Sequence, residues 1–83
     1  IDFDSPAALD YVPAWRPHAG LDGRHAVRPG WSAPLGAVYA EMAAKIDGER
    51  TIRQIAGPHD LNQVATALIT ELWRMDFLTI RIA

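Results

Sequence analysis

The chain has 83 residues, of which 49% are hydrophobic and 22% are charged, so it is long enough for one domain with a real core and does not belong to the disordered class. Eight basic and ten acidic side chains give a net charge of −2, which leaves no overall positive field to attract nucleic acid or an anionic membrane. Cysteine is absent, which excludes disulfides, thiolate zinc sites and thiol catalysis.

The ends of the chain and its composition along the length predict its organisation. No apolar run approaches transmembrane length and no secretory signal opens the chain, so we expect a cytoplasmic protein without a membrane partner. Because the chain begins with Ile1 rather than Met, we expect it to be a domain of something longer. We expect one domain in two parts, a proline-rich segment with short strands at 1–34 and a helical core at 35–83.

The N-terminal part holds five of the six prolines, which disfavour long helices. We predict two extended segments there, residues 11–16 and residues 24–28. The sequence Leu21-Asp22-Gly23 lies between them, and Asp-Gly is a strong turn signal. A short β-hairpin is therefore expected before the first helix.

A helical period begins near position 35. A first helix that closes at Gly48 is predicted by apolar residues at three- and four-residue steps, namely Leu35, Val38, Tyr39, Met42 and Ile46. Thr51 and Gln54 have the spacing of a capping box, so a short second helix should start there and end before Gly57.

A third helix of about four turns is predicted from Asp60, its candidate N-cap, onwards. Its apolar positions are Leu61, Val64, Leu68, Leu72 and Met75. After Asp76 the pattern alternates, with Leu78, Ile80 and Ile82 on one face, which predicts a half-buried strand. This order of elements predicts an α+β fold of winged-helix type, with a short N-terminal hairpin, three helices and a C-terminal β segment.

Catalytic and metal-binding motifs are weak throughout. His18, Asp22 and His25 lie close in sequence, but a zinc site needs three or four ligands in closed geometry, and solvated loop histidines are the simpler interpretation. Asp2 and Asp4 form a carboxylate pair of the kind that is usually only solvated near a chain end. We therefore expect no catalytic residue, no metal and no cofactor.

Two further surfaces leave alternatives open. The third helix would be the recognition helix of a DNA-binding winged helix. Its expected exposed face offers one cation, so nucleic acid is disfavoured. The residues of that face are Asn62, Gln63, Thr66, Thr70, Glu71 and Arg74. Arg16, Arg24 and Arg28 would form a basic patch for acidic side chains of a peptide, or would be isolated surface arginines. Among the three tryptophans we expect Trp73 in the core and leave the other two open.

The run MAAKIDGERTIRQIA at 42–56 and the later LITELWRMDFLTI resemble the signature of PqqD-like domains, the RiPP recognition elements. The resemblance covers residues 35–82. It implies a small winged-helix module that binds the leader segment of a ribosomally made precursor peptide and presents it to a modifying enzyme in natural-product biosynthesis. Similar winged helices occur as accessory domains of methyltransferases and JmjC-type oxygenases.

The resemblance also implies where the peptide binds. In that family the leader adds as a strand beside an N-terminal sheet and lies against the third helix. By position, the resemblance implies that the edge strand here is residues 24–28. The implied peptide-binding residues are Arg24, His25, Ala26, Val27, Arg28, Val64, Leu68 and Arg74. Family members have a three-stranded sheet rich in β-branched residues before the first helix, whereas this chain has few strand formers there.

The sequence thus predicts a non-catalytic domain that recognises a leader peptide and works with a partner or fused modifying enzyme. The second interpretation is an accessory or interface domain of a larger methyltransferase or oxygenase. A DNA-binding winged helix is the third.

Overall fold

The computed structural model describes residues 1–82 and shows a small α+β domain. Ala83, the last residue of the predicted helical core, lies outside the described residues. In chain order the elements are β1 (Val12–Trp15), β2 (Gly20–Asp22), β3 (His25–Arg28), β4 (Trp31–Pro34), α1 (Ala37–Ala43), α2 (Ile52–Ala56), α3 (Asn62–Arg74) and β5 (Leu78–Arg81), with 3-10 helices at Pro6–Asp10 and His59–Leu61. The predicted α+β class, the three helices, a hairpin near the N-terminus and the C-terminal strand are confirmed.

Three of the strands form an antiparallel sheet in the order β2-β3-β4. A two-residue turn, Gly23-Arg24, joins β2 to β3, with Gly23 at a φ of 59°. The turn lies slightly later than the predicted Leu21-Asp22-Gly23, because Asp22 still belongs to β2 and pairs with His25. A second two-residue turn, Pro29-Gly30, joins β3 to β4. The sheet therefore exceeds the short hairpin that the scarcity of strand formers predicted, because two tight turns fix its register where strand propensity is low.

The other predicted hairpin strand, residues 11–16, has a different partner. It forms β1, which pairs antiparallel with β5 at the far end of the chain, Val12 opposite Arg81 and Trp15 opposite Leu78. After β1 the chain reverses through Pro17 and His18, whose φ is 68°. The prediction that this segment pairs with residues 24–28 is wrong, because the reversal inserts β2 as the neighbour of β3 and leaves β1 for β5.

The strand β3 is central, so the expectation that residues 24–28 form a free edge is wrong. The amide of Leu35 donates to the carbonyl of Arg24 at 2.7 Å. This bond determines which residues of β3 are hydrogen-bonded to β4. Because hydrogen-bonded pairs alternate along an antiparallel ladder, alternate residues of β3 bond to β4 and the remaining ones bond to β2. The free edges belong to β2 and β4, and Pro34 on β4 has no amide hydrogen to offer.

The first helix is shorter than predicted and presents a partly different face. It ends at Ala43 rather than at Gly48, and the following amides bond three residues back, Lys45 to Met42 and Ile46 to Ala43. Val38 and Tyr39, expected on the buried stripe, are 53% and 41% exposed. Met42 and Ile46 of the predicted stripe are buried as expected. Ala40 and Ala43 complete the buried face in place of Val38 and Tyr39, because small alanines allow a two-turn helix to pack closely.

The second and third helices follow the predicted pattern more closely. Thr51 Oγ1 accepts the Gln54 amide at 3.2 Å and the Gln54 side chain accepts the Thr51 amide at 2.9 Å, so the capping box is confirmed. The predicted N-cap, Asp60, lies instead inside the 3-10 helix His59–Leu61, and α3 starts at Asn62 without a side-chain cap. The 3-10 helix already aligns the backbone amides just before α3, so α3 continues an existing helical turn.

The core lies between α2, α3 and the strand β5. Its largest fully buried side chains include Phe77, Ile52, Ile55, Ile69 and Leu72. The Leu78 side chain is buried as predicted, Ile80 is half-buried, and Ile82 follows the strand at 62% exposure. Within residues 1–82 no helix has both the length and the apolar character needed to cross a membrane.

Candidate functional site

A groove runs along the exposed face of α3 and is closed on its other side by the N-terminal segment Ile1 to Leu9. Its volume is about 680 Å³. Phe3, Leu9 and Trp73 supply its apolar wall, and the polar residues of α3 line the rest. A concave surface with an apolar wall and a few polar groups is the usual form of a ligand site in proteins.

Aromatic packing holds the N-terminal segment against α3. The ring of Phe3 meets the ring of Trp73 edge-on at a centroid distance of 5.4 Å and that of Tyr11 at 6.0 Å. The Tyr11 hydroxyl donates to the Asp2 carbonyl at 3.2 Å, and the 3-10 helix Pro6–Asp10 continues the segment. These contacts fix one wall of the groove before any ligand arrives, which reduces the entropy lost on binding.

Asn62 places a buried amide in the lining of the groove. Its residue is 8% exposed, and its side-chain nitrogen lies 3.1 Å from His59 Nδ1. The side-chain oxygen of Asn62 is shielded from solvent and has no hydrogen-bond partner among residues 1–82. A buried acceptor without a partner costs about 1–3 kcal/mol of free energy.

The charges around the groove are mostly negative. Asp2, Asp4 and Glu71 line it together with one cation, Arg74. Arg74 Nη1 lies 3.4 Å from Glu71 Oε1, so this cation is already shared with an acidic neighbour. Asp2 accepts the amide of Asp4 at 2.9 Å and keeps both carboxylates on the same short segment. The groove therefore favours a ligand of positive charge.

The predicted peptide-binding residues do not meet at one place. Arg74 lines the groove, but Val64 is only half-buried against the core and Leu68, at 5% exposure, belongs to the core itself. The five residues from Arg24 to Arg28 lie in or beside the central strand of the three-stranded sheet, whereas α3 packs mainly on α2 and β5. Strand addition beside β3 is thereby ruled out, while contacts of a peptide with the side chains of these residues stay a prediction.

The predictions for the tryptophans and for the basic patch also have mixed outcomes. Trp73, expected in the core, is half-buried and lines the groove, and Trp31 is 43% exposed on β4. Arg16 and Arg28 of the expected basic patch line one small cavity, which Arg24 does not join. Over residues 1–82, no three or more His, Cys, Asp or Glu side chains are grouped so that they could hold a metal ion.

Sequence reasoning missed Phe3, Leu9 and Asn62 as groove residues. Phe3 and Leu9 stand beside prolines and aspartates without any period, so only the packing of the N-terminal segment on α3 reveals them. Asn62 was predicted on the exposed face of the helix, but the 3-10 helix before it turns its side chain inward toward His59.

These features define a small α+β domain with an open groove along its third helix. No protein-family model matches the sequence.

Proposed function

We propose that this domain binds a peptide segment in the groove between α3 and the N-terminal residues, without catalysing a reaction. The observation that carries the proposal is the groove itself, about 680 Å³ in volume and walled by Phe3, Leu9 and Trp73. This volume accommodates a few peptide side chains. The aromatic wall of Phe3 and Trp73 offers apolar contact to the peptide.

The class of peptide follows from the charges of the groove. Three carboxylates face one arginine that is already ion-paired, so a peptide with both apolar and basic side chains complements the site. The resemblance to RiPP recognition elements supports a leader segment of a ribosomal precursor as this peptide and a modifying enzyme as the partner. The winged-helix arrangement and this biological role stay predictions.

The proposal changes the mode of binding that the sequence suggested. The strand β3 already pairs with β2 on one side and with β4 on the other, so the peptide is not expected to extend the sheet at residues 24–28. The third helix keeps its predicted role as one wall of the site, and the N-terminal segment replaces the sheet as the other wall.

The test is an NMR titration of the ¹⁵N-labelled domain with two synthetic peptides of equal length, one alternating Leu and Lys and the other alternating Leu and Glu. We expect saturable amide shifts in α3 and in residues 2–9 with the Leu-Lys peptide, and at least tenfold weaker binding of the Leu-Glu peptide, a difference of about 1.4 kcal/mol. Leader segments encoded beside the gene form the next set of ligands.

A matched pair of variants locates the site. Ala67 is exposed in the groove and Ala44 is exposed at the end of α1, so Ala67→Trp should block peptide binding while Ala44→Trp leaves it unchanged. Circular dichroism checks that both variants fold. Shifts that avoid α3, or equal binding by both variants, would contradict the proposal.

A second candidate, the accessory domain of a larger enzyme, is favoured by exposed apolar side chains elsewhere. Trp31, Val38 and Tyr39 on β4 and α1 are 43%, 53% and 41% exposed, and exposed apolar groups often mark contact surfaces. Under this candidate, Val38→Glu in the complete open reading frame impairs the parent enzyme and Ala67→Trp does not. DNA binding is supported less, because Asp2 and Asp4 lie beside α3 and would repel phosphates.

A further inference from the structure

Arg28, at the end of β3, is a half-buried cation without an acidic partner. None of the ion pairs within residues 1–82 includes it. Its guanidinium carbon lies 4.9 Å from the ring centroid of Trp31 and 5.7 Å from that of Phe77, and these two rings stack at 5.3 Å. The Nε atom of Arg28 is shielded from solvent and has no hydrogen-bond partner in this part of the chain. A buried donor in that state has a strong affinity for an acceptor.

A cavity of about 300 Å³ lies beside this guanidinium. It is lined by Arg16, Pro17, Ala19, Arg28, Pro29 and Asp76. The charged residues of the lining are two arginines and one aspartate, which leaves an excess of one positive charge. Arg16 and Asp76 lie 3.7 Å apart with side chains 44% and 73% exposed, and such a pair contributes little and is easily rearranged.

The walls of this cavity are rigid. Pro17 and Pro29 have fixed φ angles, and stacking on Trp31 and Phe77 limits the rotamers of Arg28. A planar guanidinium carries pairs of parallel N–H donors, the geometry that matches the two oxygens of a carboxylate. The single excess positive charge matches the single negative charge of that group.

We infer that the cavity at Arg28 and Arg16 is a carboxylate-binding site, distinct from the groove along α3. Arg28 is the main contact through the accessible N–H groups of its guanidinium, and Arg16 supplies the second cation. The volume admits a side-chain-sized group, so the carboxylate comes from an acidic side chain or from the C-terminus of a partner chain. The inference stands independently of the peptide groove, because it uses no residue of that groove.

The deciding experiment follows the arginine Nε–H signals of the ¹⁵N-labelled domain by NMR. Two probes separate the sources: N-acetyl-aspartate N-methylamide carries a side-chain carboxylate, and N-acetyl-alanine carries a chain-terminal one. We expect a saturable downfield shift of the Arg28 Nε–H signal with at least one probe. The probe that binds more tightly shows whether the natural ligand is a side-chain carboxylate or a chain terminus. Inorganic phosphate is the third probe and should bind more weakly.

Conservative variants test whether the paired N–H donors of the Arg28 guanidinium are needed for binding. Arg28→Lys keeps the charge and loses the paired donors, so binding should fall at least tenfold, which corresponds to about 1.4 kcal/mol. Arg16→Lys should cause a smaller loss, and Arg50→Lys, at an exposed arginine of the loop before α2, should cause none. The absence of a saturable Arg28 Nε–H shift in the unaltered domain, tighter binding of phosphate, or wild-type affinity of a folded Arg28→Lys variant would each overturn the inference.

Discussion

The helical part of the domain and the three-stranded sheet are stabilised in different ways. The helical part buries Ile52, Ile55, Ile69 and Leu72 completely, whereas Ala26 is the one buried residue in the strands β2, β3 and β4. The sheet depends on ladder hydrogen bonds, on two glycine turns and on the stack of Trp31 against Phe77. The comparison shows that burial determines one half of the fold and backbone geometry determines the other.

The largest expected effect comes from Phe77, which belongs to both regions because it is fully buried and also stacks on Trp31. Phe77→Ala should lower the free energy of unfolding by about 3–5 kcal/mol, since it leaves a cavity in the core and releases the sheet. Urea denaturation followed by circular dichroism measures the change. Val38→Ala, at a position 53% exposed, is the control and should change stability by less than about 0.5 kcal/mol. Similar effects of the two substitutions would refute the assignment of Phe77 as the joint between the regions.

A smaller effect is expected at the turns of the sheet. Gly30 has a φ of 81°, so Gly30→Ala should destabilise the domain by about 1–2 kcal/mol, the cost of a left-handed conformation for a residue with a Cβ. Gly20→Ala provides the matched control, because Gly20 lies in β2 without a positive φ and has open space around an added Cβ. Thermal unfolding compares the two variants, and hydrogen exchange should quicken in residues 25–34 for the first alone. If the control destabilises as much as Gly30→Ala, turn geometry does not determine the sheet.

The smallest effect concerns a turn of the helical part that depends on a carboxylate. Asp47 Oδ1 accepts the amides of Arg50 at 2.9 Å and Glu49 at 3.0 Å, and these backbone hydrogen bonds hold the pKa of Asp47 below its ordinary value of 3.8. A lowered folded-state pKa means that the stabilisation is present above the ordinary value and is lost as the pH falls through the lowered one.

Asp47→Ala should therefore reduce stability at neutral pH, and the difference from the unaltered domain should shrink as the pH falls below 3.8. Urea denaturation at a series of pH values measures it. The effect of Gly30→Ala should not follow this pH dependence, because that turn relies on a backbone angle and not on a charge. A pH-independent effect of Asp47→Ala would show that its carboxylate does not stabilise the turn.

The accuracy of the sequence predictions follows the same division. The capping box at Thr51, the extent of α3 and the strand after Asp76 were predicted correctly, because each depends on residues close in sequence. The partner of the strand at 11–16 was predicted wrongly, because that partner, β5, lies more than sixty residues further along the chain. The buried face of α1 was predicted correctly at Met42 but not at Val38 and Tyr39, since Ala40 and Ala43, which are buried instead, carry no strong apolar signal.

The candidate site was less predictable than the fold. The sequence indicated α3 and Arg74, but it gave no sign that Phe3 packs on Trp73 to form the opposite wall. It also suggested the basic patch, yet it could not separate Arg24, which is exposed, from Arg28, which stacks on two rings. In both cases the missing information was a contact between distant parts of the chain.

The sequence by itself determined the α+β class, the number and order of the helices and a turn that includes Gly23, because periodicity, capping and turn chemistry act over a few residues. Only the tertiary structure decided which strands pair, that β3 lies at the centre of its sheet, and that the N-terminal segment closes a groove against α3. Strand pairing and groove formation depend on which apolar surfaces cover one another. That choice minimises the exposed area of the whole chain and is not encoded in any short segment.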